Sequence, residues 1–142
     1  MPRFRTASWV MLVVIGAVGL VLSVLSAVNA YARGYRIGPE PVAAVAAGRP
    51  GVETALRGTR GTAAAYAAAY AVLLIGIAAG PYKRGDKGSW WAILASAFVL
   101  FLVVAIRQPA LGTTLGLSAP TAALGLVLVA LVLDGGRLKT AP

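Results

Sequence analysis

Apolar and polar residues alternate along this chain on a coarse scale. Four long uncharged runs, near residues 9–31, 62–82, 89–106 and 110–133, are separated by shorter charged stretches. A surface helix of a water-soluble protein carries a polar face, which would place polar residues every three or four positions. These runs have no such face. Each approaches the roughly 20 apolar residues that a helix needs to cross a bilayer core. The pattern therefore predicts an all-α integral membrane protein. The expected fold is an antiparallel four-transmembrane-helix bundle with a short interfacial helix in the first loop, a single transmembrane domain over residues 1–142.

The boundaries come from turn and cap signals. The first run follows Arg3 and Arg5 and contains Val28-Asn29-Ala30, which fits the cleavage site of a secretory signal. It exceeds a signal core of roughly 7–15 residues, so a retained first span over about 9–31 is expected. The second span, about 62–82, ends at Pro81 and the cluster Lys83-Arg84-Gly85-Asp86-Lys87-Gly88. So short a turn makes spans two and three antiparallel neighbours. The third span, about 89–106, opens on Trp90 and Trp91 at headgroup level and closes at Arg107-Gln108-Pro109. For the fourth, Ser118-Ala119-Pro120 reads as a capped helix start, giving a helix over 118–134 with a loop at 108–117. About 17 residues is the lower limit for crossing. A helix kinked at Pro120 that begins near Leu111 is the alternative.

Between the first two spans, residues 33–61 are polar and punctuated by glycine and proline. Residues 41–47 read as a short helix with Pro41 at its first position, where its missing N–H costs nothing. Gly48-Arg49-Pro50-Gly51 breaks it, and residues 52–57 add a further turn or two. Such pieces lie in the headgroup region with Arg49 and Arg57 toward phosphates, or else form a solvated loop.

Composition agrees with the pattern. Only 12% of the 142 residues are charged and 59% are hydrophobic, against about 25% charged in a soluble domain. The net charge of +9 would suit a nucleic-acid binder only if the basic residues shared a folded polar face. Here they flank apolar runs, as membrane insertion dictates, so no nucleic-acid partner is expected. With the N-terminus inside, Arg3, Arg5, Lys83, Arg84, Lys87, Arg137 and Lys139 lie on the cytoplasmic side. Arg33, Arg36, Arg49, Arg57, Arg60 and Arg107 lie on the other, mostly spread over one long loop. Because short loops dominate this bias, both termini are placed in the cytoplasm and the chain in the inner (plasma) membrane.

Candidate chemistry is sparse. A charge at mid-bilayer costs about 2.5–3.5 kcal/mol, so an intramembrane ionisable residue reads as functional. No run carries one in its middle, and the chain has neither histidine nor cysteine. Histidine-ligated haem, thiolate metal sites and Ser-His-Asp catalysis are excluded, and no cofactor is expected. Asp134, beside Gly135, Gly136 and Arg137, reads as an interfacial residue ending a helix, with half of a buried ion pair as the alternative. Arg107 reads as a snorkelling span end. Tyr66 and Tyr70, four apart, belong to the aromatic belt or a packing face, or else line a quinone or lipid pocket. Ser23, Ser26 and Asn29 suggest interhelical hydrogen bonds. Gly16, Gly19, Ala64, Ala68, Ala71, Gly76, Ala79 and Gly80, with a G-x-x-x-G pair at 76 and 80, suggest close backbone approach.

Leu56-Arg-Gly-Thr-Arg-Gly61 leads into a small-residue helix, and Pro81-Tyr-Lys-Arg-Gly-Asp-Lys-Gly-Ser-Trp-Trp-Ala92 follows it. This arrangement resembles the small four-helix bacterial membrane proteins grouped as DoxX-like, in which a basic, glycine-containing turn precedes a tryptophan-rich start of helix three. The resemblance implies a four-helix membrane fold. For some members it also implies a role as membrane subunit of quinone-dependent oxidoreductase complexes, and it carries no catalytic residue. The expected function is therefore a non-catalytic accessory or structural subunit that meets lipid and other membrane subunits, or self-associates. Its interface or lipid-contact candidates are Trp90, Trp91, Lys83, Arg84, Lys87, Arg49 and Arg57. The alternative is a binder or carrier of a quinone, lipid or other apolar molecule.

Overall fold

A computed structural model describes residues 2–32, 34–106, 109–110 and 118–139. Helix α1 spans Pro2–Tyr31, strands β1 and β2 are Arg36–Ile37 and Glu40–Pro41, and α2 is Val42–Val45. Helix α3 is Pro50–Ile77, continued by a π-helical segment Ala78–Tyr82. Helix α4 is Lys87–Ala105 and α5 is Ser118–Leu133, followed by a 3₁₀ turn Gly135–Lys139. Three apolar helical stretches, Phe4–Tyr31, Pro50–Tyr82 and Lys87–Ala105, are long enough to cross a membrane. Helix α5 is apolar but shorter, at 16 residues. The loop expected at 108–117, a start near Leu111, and the Arg33 and Arg107 positions lie outside the described residues.

The chain falls into two compact units. The first comprises Met1–Gly16 and Leu73–Pro142, the second Ala17–Val72. In the first unit, α1 buries Ser8, Leu12 and Gly16, and α4 buries Ser89, Ile93 and Ala97. Both sets follow the i, i+4 spacing that keeps side chains on one helical face. The end of α3 and its continuation bury Leu74, Ala78 and Tyr82, and α5 buries Val127, Ala130 and Leu131. Helices α4 and α5 pack on each other, with the start of α4 at the end of α5, where Trp90 Nε1 donates to the Leu131 carbonyl at 3.1 Å.

Regular α3 ends at Ile77, just before Pro81, and the second apolar stretch ends at Tyr82 as the sequence suggests. Proline lacks the N–H of the i→i−4 ladder and its ring crowds the preceding turn. The helix breaks there: Ala78–Tyr82 is of π type, and non-helical backbone angles at Gly80 (φ −98°, ψ −107°) separate two helical pieces across a kink. The kink thus has an identifiable cause. The polypeptide then turns at Gly85, whose φ of +102° is open to glycine and strained for any other residue. Asp86 caps α4 by accepting the Ser89 N–H at 2.6 Å. The Asp-x-x-Ser spacing carries this N-cap signal in the sequence, and it places the start of α4 at Lys87 rather than Ser89.

In the second unit, residues 36–41 form a two-stranded antiparallel hairpin pairing Arg36 with Pro41 and Ile37 with Glu40. Gly38 takes φ +63° at the first turn position, where a two-residue type II′ loop requires glycine. This corrects the expected helix over 41–47. Pro41 belongs to β2, and the helix is one turn, Val42–Val45. Ala47 and Gly48 both adopt positive φ and end it. The second correction concerns residues 50–61, expected within the loop. They are the opening turns of α3, with Pro50 at the first helical position, Glu53 in the first turn and an i, i+4 Arg57–Glu53 ion pair at 2.6 Å. Local helix-start chemistry overrides the polar composition that suggested a loop.

Small residues set the approach of α1 and α3 within this unit. A Cβ built on Gly19 would lie 3.8 Å from that of Ala71, and one on Gly61 would run into the Tyr31 ring. Gly76 and Gly80, the G-x-x-x-G pair, have open space where a Cβ would stand. Ser23 donates to the Gly19 carbonyl of its own helix at 2.7 Å, so its hydroxyl serves an intrahelical bond rather than the interhelical one expected.

The turn geometry makes a clear expectation. Gly85→Ala, at a φ beyond the ordinary left-handed region, should destabilise the protein by about 1–3 kcal/mol, read as a lower unfolding midpoint in detergent micelles. Gly58→Ala, inside α3 with nothing within 4 Å of the new Cβ, should be neutral or stabilising by up to about 1 kcal/mol. Equal effects at both positions would refute the conformational explanation.

Candidate functional site

The polar side chains of the first unit converge on one buried cluster. Tyr82 is fully buried, Ser8 likewise, and Asp134 and Arg137 are 7% and 8% exposed. Ser8 Oγ donates its one proton to the Ala130 carbonyl at 2.6 Å. The 2.6 Å contact between Ser8 Oγ and Tyr82 OH is therefore a bond in which tyrosine donates. The Arg137 guanidinium stacks on the Tyr82 ring, 4.0 Å from its centroid. Its Nη2 pairs with an Asp134 carboxylate oxygen, and its Nη1 donates to the Asp86 carbonyl at 3.2 Å. Cation, carboxylate, ring and carbonyl thus neutralise and hydrogen-bond one another where water is scarce.

Asp134 is accordingly half of a buried ion pair, the alternative reading of that residue rather than the interfacial one. The sequence signal was the i, i+3 spacing of Asp134 and Arg137, separated only by Gly135 and Gly136. Tyr82 and Ser8 carried no signal of their own, since their partners are 74 residues apart.

The other sequence candidates surround this cluster or stand apart from it. Lys83 Nζ lies 4.5 Å from the centroid of the Trp9 ring, and the Lys83 carbonyl accepts from Arg5 Nη2 at 3.2 Å. Arg84 is exposed and Lys87 half-buried. Trp90 and Trp91 meet edge to face at 4.8 Å, the first half-buried and the second exposed. In the second unit Arg49 is exposed, while Arg57 turns inward. Its Nη1 donates to the Ala32 carbonyl at 2.7 Å, just past the end of α1, and its Nη2 binds Glu53. Tyr66 is exposed and Tyr70 half-buried.

A groove of about 210 Å³ opens in the second unit, lined by Leu22, Ser23 and Ser26 of α1 and by Arg60 and alanines of α3. Tyr66 and Tyr70 are not among its walls. Arg60 and Ser26 are the residues that sequence reasoning missed or read only as packing. Among the described residues, no three His, Cys, Asp or Glu side chains come together to hold a metal ion. No family model, curated protein or solved structure matches this chain.

The Asp134 carboxylate pairs with the Arg137 guanidinium, and a buried charge is costly to strand. Asp134→Asn should destabilise the protein by about 3–5 kcal/mol, because Arg137 loses its counter-charge while still enclosed. The double replacement Asp134→Leu with Arg137→Met should cost clearly less than the two single changes summed. Denaturant titration in micelles, followed by tryptophan fluorescence, measures both, and strict additivity would rule out the pair as the coupling element.

Asp86 gives a pH handle outside the spans. The Ser89 hydroxyl, then the Ser89 backbone N–H, hold its carboxyl below the ordinary aspartate range. A carboxylate depressed in the folded state stabilises fully above its unfolded-state pKa, and that contribution fades as pH falls through the folded one. Thermal stability should therefore drop on acidification below about pH 3.9. In Asp86→Asn the drop should be shallower. An identical acid profile in the variant would show that the cap does not titrate as described.

Proposed function

We propose that the chain is a non-catalytic membrane subunit, an antiparallel four-span protein whose role is to pack against lipid and another membrane chain. The observation that carries this reading is where the apolar and polar groups lie. Large apolar side chains point outward along the long helices, among them Val14, Val18 and Leu25 of α1, Leu73 of α3, and Phe98 and Val103 of α4. Exposed apolar surface on that scale needs lipid or a partner to cover it. The buried Ser8, Tyr82, Asp134 and Arg137 side chains of the first unit meanwhile hold one another, which suits a scaffold. The tryptophans, with the basic residues of the Lys83, Arg84 and Lys87 turn, suit the cytoplasmic interface of an inner-membrane protein. The DoxX-like resemblance points the same way and rests on the residues quoted for it.

A second reading, a binder of a lipid-like molecule, is favoured by the groove of the second unit. The subunit reading is tested by native mass measurement of the full chain extracted from its own membrane in mild detergent. A defined stoichiometric assembly, with a second copy or another membrane chain, is expected. A single chain carrying only detergent and lipid would remove the subunit reading.

A further inference from the structure

The groove of the second unit has a polarity gradient. Tyr31 of α1 meets Gly61 of α3, and Gly19 meets Ala71, so the two helix segments run antiparallel with Ser23 and Ser26 opposite the alanines of α3. Ala63, Ala64 and Ala67 are too short to fill the space beside Leu22 and Ser26. The distance from Arg60 to Ala67 is about 10 Å at 1.5 Å per helical residue. At one end of the groove stands Arg60, exposed. The nearest acid in sequence, Glu53, is committed to Arg57, and no hydrogen bond or ion pair holds Arg60 among the described residues. It also lies just before the apolar stretch of α3 begins, where a long cation reaches the headgroup layer. A cation at headgroup level above an apolar slot one acyl segment long is complementary to one kind of molecule.

We propose that this groove binds an anionic phospholipid. Its phosphate sits against the Arg60 guanidinium, its glycerol region lies within reach of the Ser26 hydroxyl, and the upper part of one acyl chain lies along Ala63, Ala64 and Ala67. At roughly 30 Å³ for a group the size of a water molecule, 210 Å³ accommodates about seven such groups, so the rest of the chain continues into the bilayer through the open side. The arginine supplies the preference for a negative headgroup, and the alanines supply the room. This inference rests on the membrane-spanning reading and deepens the lipid-binding one. It does not depend on the chain being a subunit.

The test uses the full chain reconstituted into vesicles of phosphatidylcholine with a minor fraction of phosphatidylglycerol, then released in mild detergent for native mass spectrometry. One retained phosphatidylglycerol per chain is expected, not displaced by excess inorganic phosphate. Arg60→Gln should lower the preference for phosphatidylglycerol over phosphatidylcholine about fivefold, from roughly 1 kcal/mol per interfacial basic residue. Ala67→Phe, which fills the slot and leaves the charge, should reduce retention of both lipids, with helicity by circular dichroism unchanged in either variant. Retention unaffected by both changes would overturn the proposal. So would retention lost in Arg84→Gln instead, which would place the lipid at the basic turn. Displacement by phosphate alone would show an anion site without a lipid. A chain that fails to enter the vesicles at all would overturn the membrane reading itself.

Discussion

A guanidinium enclosed among apolar helices has to be neutralised, stacked and hydrogen-bonded at once, and that requirement organises the first unit of this protein. Arg137 meets it with Asp134, the Tyr82 ring and the Asp86 carbonyl. Tyr82 in turn donates to Ser8, which donates to Ala130. The chain of bonds therefore ties the start of α1, the end of α3, the turn before α4 and the end of α5 to one charge. In an apolar medium helices gain little from hydrophobic association with one another, so polar contacts and close packing specify which faces meet. The buried groups beside this cluster, Leu12, Ala78, Ser89, Ile93 and Leu131, are small or of middle size and let the helices come near enough for those bonds.

The second unit is organised by backbone satisfaction rather than by a buried charge. Arg57 reaches back to the Ala32 carbonyl beyond the last turn of α1, and Glu53 holds the other arm of the same guanidinium. The hairpin of β1 and β2 and the single turn of α2 occupy the link, with Val42 N–H closing onto the Tyr35 carbonyl at 2.8 Å. Polar backbone that leaves a helix near an apolar layer needs such partners. The same unit is where α3 is richest in alanine, which permits close approach near Gly19 and leaves the slot beside Arg60.

These two solutions bear on function in different ways. A buried cluster in which ring, carboxylate and guanidinium hold one another gives rigidity. Arg60, with no hydrogen bond or ion pair among the described residues and placed over a slot of small side chains, leaves recognition capacity unspent. The outward apolar residues of α1 and α4 suit lipid and protein alike.

The run of uncharged residues by itself determined that the chain is helical and that three helices are long and apolar enough to cross a membrane. That inference needs only length, hydropathy and the cost of charge in hydrocarbon. The apolar helix over Ser118–Leu133 was legible for the same reason, as part of the fourth uncharged run. The first loop was read less well. Its polar composition hid a helix start at Pro50, and the Gly38-Pro39 hairpin lies outside the four uncharged runs. What only the tertiary structure decided is the pairing of groups distant in the chain. Tyr82 with Ser8, Arg57 with Ala32 and the slot between Ser26 and Ala63 depend on which helix faces meet. Apolar runs uniform around their circumference contain no such facial information.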